Sequence, residues 1–136
     1  MDNTAIAFLL SETADLMSID GADSFRILSY RRAAEAVEQT TVDLMAVVAD
    51  TDRLLEISGI GKSMAANIQS IAATGSLPQR DQLVAKYGTG ILELLKLPGM
   101  GPKTIALFWS AAQITSIDQL AEAIEAGATE TGAKGA

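Results

Sequence analysis

The spacing of hydrophobic and polar residues is helical along the whole chain. Apolar residues recur every three or four positions, beginning with Ile6, Leu9 and Leu10, which is the spacing of one helix face. No segment shows the strict alternation that a half-buried strand requires. Caps, glycines and prolines place helix boundaries at Asp2, Asp20-Gly21, Thr51-Asp52, Thr74-Gly75, Pro78, Gly88, Pro102, Ser116 and Gly127. We therefore predict an all-α fold.

A short internal repeat interrupts this helical pattern twice. Residues 55–62 read LEISGIGK, and residues 95–102 read LKLPGMGP. Each copy follows a short predicted helix and precedes a longer one, and two glycines flank an apolar residue in both. This pattern predicts a tight turn between two helices, in which glycine permits positive φ or the close approach of another backbone.

A turn of this kind has a chemical consequence. Amides of the turn and of the next helix's first turn have no intrahelical partner, and they lie at the positive end of the helix dipole. Such amides favour a phosphate, and they read no base edge. A plain turn between packed helices is the alternative, which the second copy disfavours. The predicted phosphate contacts are Gly59, Ile60, Gly61, Lys62, Gly99, Met100, Gly101 and Lys103.

Composition and charge narrow the classes of function. The chain has 136 residues, 49% of them hydrophobic, and it contains neither cysteine nor histidine. Disulfides, Cys/His zinc sites and histidine-dependent catalytic triads are therefore excluded. The net charge of −7 argues against binding nucleic acid by bulk electrostatics. No apolar run is long enough for a membrane helix, and the N-terminus lacks a basic segment, so we expect a cytoplasmic protein.

The charges are unevenly distributed. Residues 1–52 carry three arginines against ten carboxylates, whereas residues 53–109 carry six cations against three carboxylates. We expect an anion to bind in this weakly basic middle segment. The acidic N-terminal segment is interpreted as a solvated face, with a protein-docking face as the alternative.

Longer stretches around these motifs resemble a known family. Residues 22–34, ADSFRILSYRRAA, residues 58–62 with the later Ala73-Thr74-Gly75, and residues 114–120 resemble the N-terminal region of family X DNA polymerases, the bacterial kind in particular. Both glycine repeats resemble helix-hairpin-helix DNA-binding motifs. The resemblance spans residues 3–127, and it implies a helical domain that binds the DNA end at a gap, followed by a fingers-like hairpin subdomain.

The resemblance also implies further site residues. It adds Arg26, Tyr30 and Ser63 to the contacts with a DNA end. Because Arg26, Tyr30 and Arg31 recur at helical spacing, a solvated salt-bridged face is the alternative to a phosphate clamp. The resemblance also implies that hairpin carbonyls hold a monovalent cation, K⁺ or Na⁺, and it requires no other cofactor. The matching carbonyls are those of Leu55, Ile57, Ile60, Leu95, Leu97 and Met100.

Two departures from the family limit the expected activity. The matching region includes no counterpart of the polymerase palm. Lyase-active members use a lysine on the helix after the first hairpin as a Schiff-base nucleophile, and Asn67 stands at that position here. An amide cannot form the imine. Lys62, five residues earlier, lies about 140° away around a helix. We therefore expect no efficient lyase chemistry and assign no catalytic residue.

These observations lead to one expected organisation and function. We expect a first helical domain over 1–87, a fingers-like subdomain over 88–127 and a disordered tail over 128–136. The expected function is DNA binding without sequence preference, on gapped, nicked or single-strand/duplex junction DNA, in a repair context. The alternatives are a lyase that uses another lysine and a protein-interaction scaffold that has lost DNA binding.

Overall fold

The computed structural model describes residues 1–112, 116–122 and 124, and within these ranges it contains helices and turns but no strand. The helices are α1 (Asn3–Ile19), α2 (Ser24–Gln39), α3 (Leu44–Val47), α4 (Thr51–Leu55), α5 (Lys62–Thr74), α6 (Pro78–Tyr87), α7 (Gly90–Lys96) and α8 (Pro102–Ala112). Residues 117–122 continue as a further helical segment. The predicted all-α class is confirmed. None of the described helices has the length and apolarity that a bilayer crossing requires.

The chain folds as two compact units. The first covers Met1–Leu83 and the second Val84–Ala136, so the division falls within α6. The expected boundary after residue 87 lies at the end of that same helix. The expected tail over 128–136 and the predicted helix end at Gly127 lie outside the described residues.

Local capping explains most of the helix boundaries. Asp2 caps α1 by accepting from the Ala5 amide, and Gly75 ends α5 in the left-handed conformation with φ of +77°. Ser116 Oγ accepts from the Gln119 amide at 3.2 Å, as the sequence predicts. The cap of α4 differs by one residue from the prediction. Asp50, rather than Thr51, accepts from the amides of the first turn, because a carboxylate is a strong N-cap acceptor.

The core of the first unit lies between α1, α2 and α5. Helices α1 and α2 form the most extensive helix pair, and small residues such as Ala14 and Ala33 are fully buried along it. The Asn3 side chain joins the start of α1 to the start of α3, since it donates to the Val42 carbonyl at 2.7 Å and accepts from the Leu44 amide at 3.0 Å. These contacts hold the start of α1 against the segment that leads to the first hairpin.

A buried ion pair fastens α6 within the first unit. Arg80 donates its Nε–H to Glu12 of α1, and the two side chains are only 22% and 9% exposed. Arg80 also reaches Asp81 at 3.3 Å. A carboxylate as buried as Glu12 needs a charged, hydrogen-bonding partner, so this pair anchors the start of α6 to α1.

The second unit has a small core of its own. Ile91, Leu94 and Ile105 are buried on α7 and α8. Tyr87 and Trp109 meet edge to face, with ring centroids 5.0 Å apart. This geometry suits a packing contact between two aromatic side chains.

Candidate nucleic-acid interface

The two glycine repeats form turns with the same hydrogen bonds, displaced by forty residues. The Ile60 amide donates to the Ile57 carbonyl at 3.1 Å, and the Met100 amide donates to the Leu97 carbonyl at 3.1 Å. The following helices also begin alike, with the bonds Ala65 N to Gly61 O and Ile105 N to Gly101 O. The sequence repeat is therefore a repeat of structure, in which α4 and α5 form one hairpin and α7 and α8 the other.

The two glycines of each repeat have different roles. Gly59 and Gly99, the first of each pair, have φ of +97° and +77°, a region that glycine adopts without strain. A Cβ on Gly59 would lie 3.2 Å from Ala36 Cβ and 3.3 Å from the Arg32 carbonyl oxygen, because the turn rests on α2. Gly61 has an extended backbone, and a Cβ there would meet nothing within 4 Å. Only the first glycine is required by the turn itself.

The turn geometry changes the expected set of phosphate contacts. The amides of Ile60 and Met100 are already used to close their turns, and the Ile60 side chain is buried. The phosphate contacts at Ile60 and Met100 stay predictions, and each would have to share an amide that already closes its turn. The amides that follow them, at Lys62 and Ser63 in the first hairpin, belong to the first turn of a helix and have no intrahelical partner.

A cavity of about 370 Å³ in the first unit brings most of the other predicted residues together. It lies between α2 and the first hairpin. Its lining residues are Arg26, Ser29, Tyr30, Arg32, Gly59, Gly61, Lys62, Ser63 and Met64. Two separate segments of the chain, residues 26–32 and 59–64, thus line one cavity. A phosphate with part of its sugar is small enough for this space.

The cations of this cavity are not neutralised by the protein. Arg26, Arg32 and Lys62 are exposed, and within the described part of the chain none of them pairs with a carboxylate. Several cations elsewhere are paired, such as Arg53 with Glu56 at 3.8 Å. Three uncompensated positive charges around one cavity favour an anion there.

Arg32, rather than the expected Arg31, lies with Arg26 at the cavity. Arg31 pairs with Asp15 of α1 at 3.0 Å and does not line the cavity, whereas Arg32 does. The salt-bridged interpretation therefore holds for Arg31, and a cationic face holds for Arg26 and Arg32. The spacing from Arg26 does not show which of the two lies on its face of the helix. Around the helix axis Arg31 lies about 140° from Arg26 in one direction, and Arg32 lies about 120° from it in the other.

An exposed aromatic side chain, not predicted from the hydrophobic pattern, belongs to the helix that forms one side of the cavity. Phe25 follows the apolar spacing of α2, yet its side chain is 78% exposed. It lies one and two turns before Ser29 and Arg32, on the same face of the helix, and Ser29 Oγ donates to its carbonyl at 3.0 Å. In the sequence, the position of Phe25 directly before Arg26 is the one signal that could have indicated an exposed side chain rather than a core residue.

The residue at the lyase-lysine position lies behind the cavity. Asn67 Nδ2 donates to Tyr30 Oη at 3.2 Å. Among the described residues, the cavity lining includes Tyr30 and Lys62 but not Asn67. The lysine that lines this cavity is thus Lys62, at the start of α5.

The second hairpin offers a simpler surface. Gly99, Gly101 and Lys103 are exposed, and Lys103 lies in the first turn of α8. Lys96, before the turn, is paired with Glu93 at 3.6 Å. Within the described ranges Lys103 has no carboxylate partner, and it lies in the first turn of α8 as Lys62 and Ser63 lie in the first turn of α5.

The hairpin carbonyls are compatible with a monovalent cation. Each carbonyl oxygen has two lone pairs, and the turn amides occupy one of them on Ile57 and on Leu97. Neutral carbonyl oxygens are ligands that suit a hard cation. Within the described residues no cluster of carboxylates suggests a divalent site.

Two hairpins with matching turn hydrogen bonds, each followed by a helix whose first turn carries a lysine, define a tandem helix-hairpin-helix protein. Sequence comparison gives the same class. The helix-hairpin-helix domain family matches residues 1–77, and the family described as a SAM-like helix-hairpin-helix tandem matches residues 91–132. The chain belongs to the helix-hairpin-helix domain family.

A curated relative extends this result. The chain is 31% identical over 125 residues to the DNA polymerase/3'-5' exonuclease PolX of Bacillus subtilis (strain 168). The match covers 92% of this chain and 21% of the relative, in the N-terminal part of that protein. The resemblance to the N-terminal region of family X polymerases is thereby confirmed, while the chain spans about a fifth of the relative's length.

Proposed function

We propose that the protein binds DNA through its phosphates and without sequence preference. One observation carries the proposal: Arg26, Arg32 and Lys62 surround a single cavity at the first hairpin without carboxylate partners among the described residues. The free amides at the start of α5 add hydrogen-bond donors to the same space. These groups recognise phosphate, and contacts to phosphate carry no sequence information by themselves.

The cavity suits the 5′-phosphate at the end of a strand. A terminal phosphate carries up to two negative charges, whereas a phosphodiester carries one, and three cations favour the higher charge. The exposed ring of Phe25 beside Arg26 provides a stacking surface for an unpaired base. Gapped, nicked and junction DNA present both features together, and this choice agrees with a role in DNA repair.

The second hairpin would contact a different stretch of the phosphate backbone through Lys103 and the amides that follow Met100. In this proposal the carbonyls of Leu55, Ile57 and Ile60, and those of Leu95, Leu97 and Met100, hold K⁺ or Na⁺. Such an ion next to the turn adds positive charge where a phosphate approaches. In this proposal the acidic segment 1–52 could bind a protein partner while the hairpins bind DNA.

A fluorescence-anisotropy titration of a labelled gapped duplex at several salt concentrations tests the proposal. Two to four neutralised phosphates give a log–log slope of about −2 to −4, and dissociation constants of ~10⁻⁴ to 10⁻⁶ M are expected. Arg32→Ala should weaken binding three- to tenfold and reduce the slope by about 0.9. Arg31→Ala is the matched control, because that arginine is paired with Asp15. The absence of binding at low salt would favour the protein-scaffold alternative.

One observation keeps an enzymatic alternative in view. The amine of Lys62 lines the same cavity as the phosphate-binding cations, so an abasic sugar held there would lie near a primary amine. Borohydride trapping on an incised abasic duplex distinguishes this lyase from a binding protein. We expect no efficient trapping, since Asn67 stands at the position of the family's nucleophilic lysine and Lys62 is an exposed residue at the start of α5.

A further inference from the structure

The side chain of Asn67 does not line the cavity, but it forms a hydrogen bond with Tyr30, which does. Its Nδ2 donates to Tyr30 Oη at 3.2 Å and lies 3.6 Å from Met64 Sδ. An amide nitrogen has two N–H donors and no acceptor, and a thioether sulfur only accepts. Both neighbours are therefore satisfied by the nitrogen, whereas the opposite orientation of the amide would place its oxygen against the sulfur.

The direction of this hydrogen bond decides what the tyrosine can do. A phenol has one hydrogen to donate, and it accepts through its oxygen. Because Tyr30 Oη accepts from Asn67, its own hydrogen remains available for a different acceptor. Tyr30 is buried except where it lines the cavity, so the cavity is where that acceptor can be found.

We propose that Asn67 is a positioning residue that keeps the Tyr30 hydroxyl as a hydrogen-bond donor to a terminal phosphate in the cavity. This inference rests on the proposed DNA-binding function. A hydrogen bond to an ionised acceptor is about twice as strong as one between neutral groups. The pair Tyr30 and Asn67 thus adds a neutral donor to a site with three cations, and it makes the site prefer a phosphorylated strand end over a hydroxyl end.

The test compares gapped duplexes that carry a 5′-phosphate or a 5′-hydroxyl at the gap, with the full chain. Tyr30→Phe should reduce the preference for the phosphate about five- to tenfold. Asn67→Asp should reduce it at least as much, since a carboxylate accepts the phenolic hydrogen and withdraws it from the phosphate. Ala66→Asp, an exposed neighbour on the same helix, controls for added negative charge alone and should have a smaller effect.

A double-mutant cycle distinguishes positioning from a merely structural role. In a Tyr30→Phe background the effect of Asn67→Asp on the phosphate preference should fall to that of Ala66→Asp, because no phenolic hydrogen remains to be redirected. Melting temperatures of all variants are measured to confirm that binding is compared between folded proteins.

The outcomes separate the inference from the function on which it rests. If Arg32→Ala weakens binding but Tyr30→Phe and Asn67→Asp leave the phosphate preference unchanged, DNA binding stands and the role of Asn67 is overturned. An equal effect of Asn67→Asp with and without the tyrosine hydroxyl overturns it as well. If the unmodified chain binds neither duplex, the proposed function fails first.

Discussion

The two glycines of the first hairpin provide the sharpest test of the interface, because the same substitution should act on different properties at each. At Gly59 a valine would have φ of +97°, which costs roughly 1–3 kcal/mol for a side-chain-bearing residue. Its Cβ would also lie 3.3 Å from the Arg32 carbonyl oxygen. Crowding of this kind adds about 1–3 kcal/mol. Gly59→Val should therefore destabilise the first unit by about 3 kcal/mol.

Gly61→Val should behave in the opposite way. The backbone at Gly61 is extended, and a Cβ there meets nothing within 4 Å. The remaining cost is the loss of a tolerated N-cap residue at the start of α5, about 1 kcal/mol. The branched side chain would project where a phosphate must approach the amides of Lys62 and Ser63. We expect DNA affinity to fall at least tenfold in a protein that is still folded.

Thermal unfolding followed by circular dichroism measures the first effect. For a unit of this size each kcal/mol shifts the melting temperature by roughly 4–8 °C, so Gly59→Val should lower it by roughly 10–25 °C and Gly61→Val by roughly 4–8 °C. Anisotropy well below the melting temperature measures the second effect. Gly75→Val is the matched control, since Gly75 also has positive φ in open space but ends α5 away from the cavity.

Two results would refute this reasoning. A folded Gly61→Val protein with unchanged affinity would show that phosphate does not approach the first hairpin. A Gly59→Val protein with an unchanged melting temperature would show that the contact between the turn and α2 is not tight. For the second hairpin, where a Cβ on Gly99 meets nothing within 4 Å, Gly99→Val should cost only the backbone strain.

Three further predictions concern other parts of the molecule. Arg80→Met leaves the carboxylate of Glu12 buried without a partner and should cost about 2–4 kcal/mol in urea unfolding; the added Glu12→Leu change should recover part of this loss, and no recovery would contradict the buried-charge explanation. Phe25→Ala should weaken binding to a gap with an unpaired base by about 1–3 kcal/mol and should weaken binding to fully paired nicked DNA less. Calorimetric titration measures both affinities, and equal losses on the two DNAs would contradict stacking on this ring. Unmodified protein should give no strong borohydride-trapped adduct, whereas Asn67→Lys should give one; an adduct with unmodified protein that Lys62→Ala abolishes would place the chain among lyases.

Much of the fold is determined by local sequence. Helix boundaries follow from caps, glycines and prolines whose preferences act within one turn, which is why Gly75 and Pro78 stand where the pattern places them. The repeat likewise predicts two equivalent hairpins, because the turn hydrogen bonds from Ile60 to Ile57 and from Met100 to Leu97 join residues three positions apart. These features need no information from distant parts of the chain.

The candidate site depends on how the helices pack. The spacing of Arg31 and Arg32 from Arg26 does not show which of them contacts a carboxylate. The packing of α2 against α1 decides this, because it brings Arg31 to Asp15 and leaves Arg32 at the cavity. In the same way Phe25 follows the apolar pattern of α2, but none of the helices that the structure describes buries its side chain. The buried pair of Glu12 and Arg80 joins residues sixty-eight positions apart, and Asn67 meets Tyr30 across thirty-seven. Contacts of this range form only when the helices pack, because hydrophobic periodicity determines which face of a helix is buried but not which neighbour covers it.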